Sequence, residues 1–324
     1  MPAASSHPDA SLSHLIEGVP YDPVFIIGDH RSGTTLLYSL LASSGAFNGM
    51  SVYHAICYRN LLANHEAGET EPAKRALEAR FAELGLTTRL IDSIPLNAET
   101  PEEYGLVLHA ELRQFCLNDR TVHVFDELCR KVQYIAEDPA RPLVQKNPWD
   151  FASFMDVRRL YPKAKLIFIH RNPLHVINSQ LKVMHRNWTQ GNPYVEMLSP
   201  TFAWAQRQPP LRGFMRWATN PDSTIGAARR ILLRRAKHAI RYYFKHINEL
   251  PSDAYVALSY EELCEQPDTV LERIFTFLGA EPSTDVDLSK EIAPRPVKLL
   301  PALEAIAERP PTSFRDYMTY HGIA

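Results

Sequence analysis

Two adjacent stretches constrain the fold more than any others. RPLVQKNPWDFASFMDVRRLYP (141–162) and KAKLIFIHRNPLHVINSQLKVM (163–184) each open on an apolar run of strand length, turn through a polar segment holding proline, and continue with helical spacing. Strands that alternate with helices at this interval cannot close as hairpins; they lie parallel, joined by right-handed crossovers. PVFIIG (23–28) followed by TTLLYSLLASSG (34–45) repeats the order, as does AYVALSY (254–260) followed by TVLERIFTFLG (269–279). EPAKRALEARFAELG is read as a helix ending at Gly85. TPEEYGLVLHAELRQFCL is read as another, with Thr100 as its cap, Pro101 at its first position and acidic residues in its first turn.

The turn after the first of these strands is GDHRSGTT (28–35). Gly28 and Gly33 have the separation of a phosphate-cradling loop, G-x-x-x-x-G-K-[ST], whose backbone N–H groups and following helix start converge on one anion. The lysine of that motif is missing: Thr34 stands in its place, and the nearest cation is Arg31, inside the loop. Ser32, Thr34 and Thr35 add hydroxyl donors. The expected fold is therefore α/β, a P-loop-NTPase-like three-layer arrangement with a central parallel sheet flanked by helices. After LIFI a phosphoryl-transfer enzyme of this class would need an aspartate for its metal, but the chain has His170 and Arg171, with Ser179 eight residues on. Two separate anion-binding sets without a metal carboxylate suggest a ligand with phosphates on two different atoms.

A chain of 324 residues with 45% hydrophobic content can fill one large core. Residues 21–324 are read as a single domain and 1–20 as a flexible arm, with an aromatic and proline-rich insertion at about 186–222. A net charge of −2 gives no overall pull toward nucleic acid, so any anion site has to be built locally. Cys57, Cys116, Cys129 and Cys264 have neither C-x-x-C nor metal-ligand spacing and are read as reduced thiols, with no metal site expected. The N-terminus lacks the cationic start and apolar core of a secretory signal, and no apolar run approaches the roughly 20 residues of a membrane span. The expectation is a soluble, cytoplasmic protein. The stripe Arg230, Arg234, Lys237, Arg241, Lys245 follows helical spacing and reads first as a solvated face, with peripheral contact to anionic lipid as the other reading.

RSGTTLL, KNPWDFASFMDVRRLYPKAKLIFIHRNPLHVINS and ALSYEELCEQPDTVLERIFTFLG, in that order, resemble the signatures of the PAPS-dependent sulfotransferases. The similarity is nearer to the branch holding tyrosylprotein and bacterial small-molecule or lipid sulfotransferases than to the cytosolic phenol and steroid enzymes. It implies that Arg31, Ser32, Gly33, Thr34 and Thr35 hold the 5′-phosphosulfate, and that Arg171 and Ser179 hold the 3′-phosphate. Lys146 in QKNPW matches a lysine that tyrosylprotein enzymes keep near the sulfuryl group. Arg295 and Lys298 fall where the family's C-terminal segment covers the nucleotide. The implied reaction moves a sulfuryl group from PAPS to a hydroxyl, less readily an amine, of a small-molecule or lipid-like acceptor and releases PAP.

Tyrosylprotein enzymes carry a glutamate base about twenty residues past the loop, where this chain has Ser51 and Val52. His54, two residues on, is the first candidate for proton removal because imidazole titrates near neutral pH. Glu102 and Glu103 in TPEEYG are rivals, and His109 and His185 are further candidates. YEEL (260–263) reads as a structural link from the last strand to its helix. Two other functions stay open on the sequence: a divergent P-loop kinase using ATP and Mg²⁺, and a PAP-binding homologue without catalysis.

Overall fold

The computed structural model describes residues 7–323 apart from 93, 222, 224–225 and 283–296. Five strands, β1 (Pro23–Ile27), β2 (Asn48–Gly49), β3 (Leu143–Lys146), β4 (Lys165–His170) and β5 (Tyr255–Ser259), form one sheet in the order β2-β3-β1-β4-β5. Every pairing is parallel. The two sheet faces are both covered, which is why the strands read as unbroken apolar runs. Phe25, Ile27, Leu143, Leu166 and Phe168 point into one core with the helices Val122–Tyr134, Pro173–Gln190 and Ala227–His246. Val24, Ile26, Val144, Ile167 and Ile169 point into the other with the helices Thr34–Ser43 and Pro267–Leu278. This is the expected three-layer P-loop-like arrangement.

Two local expectations change. The arm read over 1–20 is anchored from Pro8 onward: Pro8–Ile16 forms a 3-10 helix whose Asp9 is buried and lies 2.9 Å from Nζ of the equally buried Lys131. Asp9 also accepts from the Ala63 amide at 3.0 Å, so one acidic side chain ties this segment to two helices. The helix expected to start at Pro101 begins at Tyr104 instead. Residues 100–102 run extended beside 50–52, with Val52 N donating to Thr100 O at 2.8 Å and Glu102 N to Met50 O at 3.1 Å. The carboxylates of that segment therefore face the interior rather than solvent.

The insertion is helical throughout much of its length, because its prolines start helices rather than break them. Pro193–Leu198, Pro200–Gln206 and Pro209–Thr219 each begin on proline, the first two capped by Asn192 and Ser199 side chains. Among the described residues the tail holds two helices, Pro301–Glu308 and Thr312–Tyr320. His170 bonds the Tyr317 hydroxyl at 2.6 Å and stacks on His321, so its ring fastens the C-terminal helix to the sheet. The four cysteines are free, and no helix among the described residues is long and apolar enough to cross a membrane.

Candidate active site

Parallel register brings the site together at the carboxyl ends of the central strands. Ile26 of β1 pairs with Lys146, the last residue of β3, and Ile27 pairs with Phe168, two residues before β4 ends. Beyond Ile27 the chain turns through Gly28–Gly33 into the helix Thr34–Ser43, whose start has no side-chain cap. Its first N–H groups are thus left for an anion. Gly33 has φ 104°, and a Cβ on it would meet Cδ2 of Tyr260 at 2.5 Å. Arg31 also adopts positive φ, 72°, a conformation that costs a non-glycine residue about 1 kcal/mol; its side chain reaches the helix Pro173–Gln190 and its carbonyl faces Arg171.

Both proposed anion sets meet there. Arg31 Nε donates to Ser179 Oγ at 2.9 Å, and Arg171 donates to the Arg31 carbonyl at 3.0 Å. The Arg171 guanidinium lies 4.0 Å over the ring of Tyr260, so Tyr260 of YEEL packs on both the loop and the arginine beside it. Gln180 Nε2 donates to the His30 carbonyl at 2.9 Å and adds a second tie from the same helix. Burial holds Arg31 below its ordinary value, while Asp92, 3.8 Å away, opposes that shift. Ser32 Oγ and Arg171 Nε are buried without a hydrogen-bond partner among the described residues. Buried donors without partners are costly, and an anionic ligand in the loop is one way to satisfy them.

Lys146 is fully buried, and its Nζ lies 3.0 Å from Thr35 Oγ1 and 2.9 Å from Glu103 Oε1. Burial opposes ionisation of Glu103, but Lys146 and then His30 outweigh it, and the carboxyl sits below its ordinary value. His30, inside the loop, packs edge-on against Trp149 with ring centroids 4.2 Å apart. Burial lowers its pKa, and its Nε2 has no hydrogen-bond partner. A lysine, a carboxylate and an imidazole therefore converge on the loop's helix side.

The residues expected as bases fare differently. Glu102 is buried in an ion pair with Arg89 at 3.2 Å and accepts from the Tyr194 hydroxyl, so its oxygens are committed to structure. Arg89 in turn pairs with Asp92, which faces Arg31. His54 closes a capping box, its Nδ1 accepting from Ser51 N at 2.9 Å, and burial followed by the charge of Lys74 pushes its pKa down to about 3. The ring thus caps its own helix through Nδ1 and resists protonation. His109 stacks on Phe115, and no hydrogen bond ties His109 or His185 to the loop among the described residues. Lys298 is exposed and meets the helix Pro173–Gln190 through its carbonyl, which accepts from Asn178 and Lys182. Arg295 lies outside the described residues.

The sequence pattern of the sulfotransferase family matches residues 23–218, more than half of the chain. The chain belongs to the sulfotransferase family. No curated protein sequence matches it. Among solved structures, this sulfotransferase resembles STF9 from Mycobacterium avium with a TM-score of 0.62 and 15% identity, over 98% of this chain and 81% of that one. It resembles STF1 from Mycobacterium tuberculosis H37Rv with a TM-score of 0.53 and 17% identity, over 87% of this chain and 73% of that one. At such identities the likeness is one of fold. Two side chains beside the loop have weak signals in the sequence of this sulfotransferase: His30 stands inside GDHRSGTT, and Glu103 lies in a segment before Tyr104 that reads as helix.

Proposed function

We propose that the protein transfers the sulfuryl group of PAPS to an acceptor hydroxyl, with Glu103 rather than His54 or Glu102 as the proton acceptor. The observation that carries this reading is the contact chain from Thr35 of the loop through Lys146 to Glu103. On it, the loop amides with Arg31, Ser32, Gly33, Thr34 and Thr35 hold the 5′-phosphosulfate, and Arg171 with Ser179 hold the 3′-phosphate. The unpartnered Ser32 Oγ and Arg171 Nε suit these roles. The acceptor oxygen bonds to sulfur as the bond from sulfur to the bridging phosphate oxygen breaks. The hydroxyl proton goes to Glu103, and the charge that grows on the bridging oxygen is met by Lys146, Arg31 and the loop amides, which need no reorganisation at that moment. PAP leaves with that charge. The acceptor class is a small or lipid-like hydroxyl compound, an amine being the poorer alternative.

The test combines thermal stabilisation by PAP, AMP, ADP and ATP–Mg²⁺ with single-turnover transfer from labelled PAPS to a panel of hydroxyl acceptors. PAP should raise the melting temperature most, and Glu103→Gln should keep that shift while losing transfer. Preference for ATP–Mg²⁺ would restore the kinase reading. PAP binding without transfer to any acceptor would leave a non-catalytic binding protein.

A further inference from the structure

Four of the five large hydrophobic side chains exposed among the described residues sit on three consecutive helices: Trp204 at 59%, Phe214 at 58%, Trp217 at 49% and Ile231 at 57%. Phe214 and Trp217 lie one turn apart with ring centroids 5.8 Å from each other, flanked on the same helix by exposed Arg216. Other aromatics of the insertion are already used: Tyr194 is buried, and Trp188 packs on Phe202. The neighbouring helix Ala227–His246 spends its apolar side, Leu232, Ala236, Ala239, Ile240 and Tyr243, on the core. Its opposite side leaves Arg230, Arg234 and Arg241 in solvent, and it holds no acidic residue at all.

Charge is as uneven as hydrophobicity. Residues 199–248 contain ten lysines and arginines and one acid, Asp222, in a chain whose net charge is −2. Monomeric soluble proteins rarely leave grouped aromatics in water, and grouped aromatics framed by cations match the boundary of an anionic bilayer, where the rings enter the headgroup region and the cations meet lipid phosphates. We propose that this face docks the protein on anionic lipid surfaces, with Phe214 and Trp217 inserted and Arg216, Arg230, Arg234 and Arg241 on the phosphates. The same helix brings the surface close to the candidate active site: Arg235, next to Arg234, lies 5.6 Å over the ring of Trp149, the neighbour of His30. The proposal stands independently of the donor and base assigned above.

Co-sedimentation of the full chain with vesicles of phosphatidylcholine, with and without phosphatidylglycerol, tests it at low and high salt. Binding should require phosphatidylglycerol and fall as salt rises. Phe214→Ser with Trp217→Ser should lower partitioning by about tenfold or more, and Arg230→Gln with Arg234→Gln and Arg241→Gln should abolish its salt dependence. Circular dichroism melting of each variant verifies that the fold is kept. A variant that melts early is replaced by Phe214→Tyr with Trp217→Gln, which keeps more of the surface packing. No partitioning at low salt, equal binding to neutral vesicles, or unchanged binding by the serine variant overturns the proposal. So does a dimer in sedimentation velocity that the serine variant converts to monomer, which assigns the face to a second copy, or displacement from vesicles by duplex DNA at equal charge.

Discussion

Glu103 reaches Lys146 from a stretch that is extended where helix was expected, and the two meet 2.9 Å apart at the end of β3. The neighbouring Glu102 turns the other way, into Arg89 and Tyr194. Adjacent carboxylates thus meet different partners, and the alternation of an extended backbone is the cause.

Exchanging each for its amide should separate their roles. Glu103→Gln takes the carboxylate partner from the fully buried Lys146, so unfolding stability should fall by about 3 kcal/mol while the rate of transfer drops about 10²- to 10⁴-fold. Glu102→Gln leaves Arg89 buried beside Asp92 alone and should cost about 3 kcal/mol in denaturant unfolding, with a smaller effect on transfer. The reverse ranking would assign the base to Glu102.

Gly33→Ala should damage the loop rather than the sheet. Its φ of 104° and the 2.5 Å approach of Tyr260 to a new Cβ leave no relaxed position for a methyl group. A loss of at least about 1 kcal/mol is expected in unfolding, together with loss of PAP-induced stabilisation. Pairing it with Tyr260→Ala, which removes the clash, should recover part of the binding. No recovery would point to the backbone strain alone.

Arg171→Ala should abolish discrimination between PAP and AMP in thermal-shift titration, because the residue proposed for the 3′-phosphate is gone. Arg171→Lys should restore little, since a lysine offers neither the fork nor the stacking over Tyr260. An unchanged PAP preference would move the 3′-phosphate elsewhere.

His54 gives a pH signature in stability. Its folded pKa is pushed down to about 3, below the value of about 6.5 in the unfolded chain, so between these limits the unfolded state binds the extra proton. Stability contributed by the neutral ring is therefore full above pH 6.5 and is lost as pH falls toward 3. His54→Asn should flatten that acid limb of the unfolding free energy, by at most about 1.4 kcal/mol per pH unit. If His54 were the base, the same variant would instead remove transfer at neutral pH.

The strands and the strand–loop–helix turn were legible because each is local: apolar runs and a glycine interval lie within one unit of sequence. The end of β3 was legible too, since Lys146 follows its apolar run directly. What stayed hidden depends on distant neighbours. Pro101 looked like a helix start, but hydrogen bonds to residues 50 and 52 hold its flanks extended, and no periodicity reports a partner fifty residues away. His54 had the right chemistry for a base and is occupied by its own helix cap. Asp9 looked like part of a loose arm because its partner, Lys131, lies on a helix more than a hundred residues on.

Arg31 joins Ser179 through its side chain and Arg171 through its carbonyl, so the two groups proposed to hold the donor's anionic ends share one residue in a left-handed turn. Such an arrangement behaves as a caliper. On the proposed function, a donor would be recognised by the interval between its two charged ends as much as by either end, and a molecule that fits one jaw while missing the other would tilt the residue on which both close. Losses from Arg31 and Arg171 substitutions should then fail to add, and the same sharing would let departure of one end of the spent donor loosen the grip on the other.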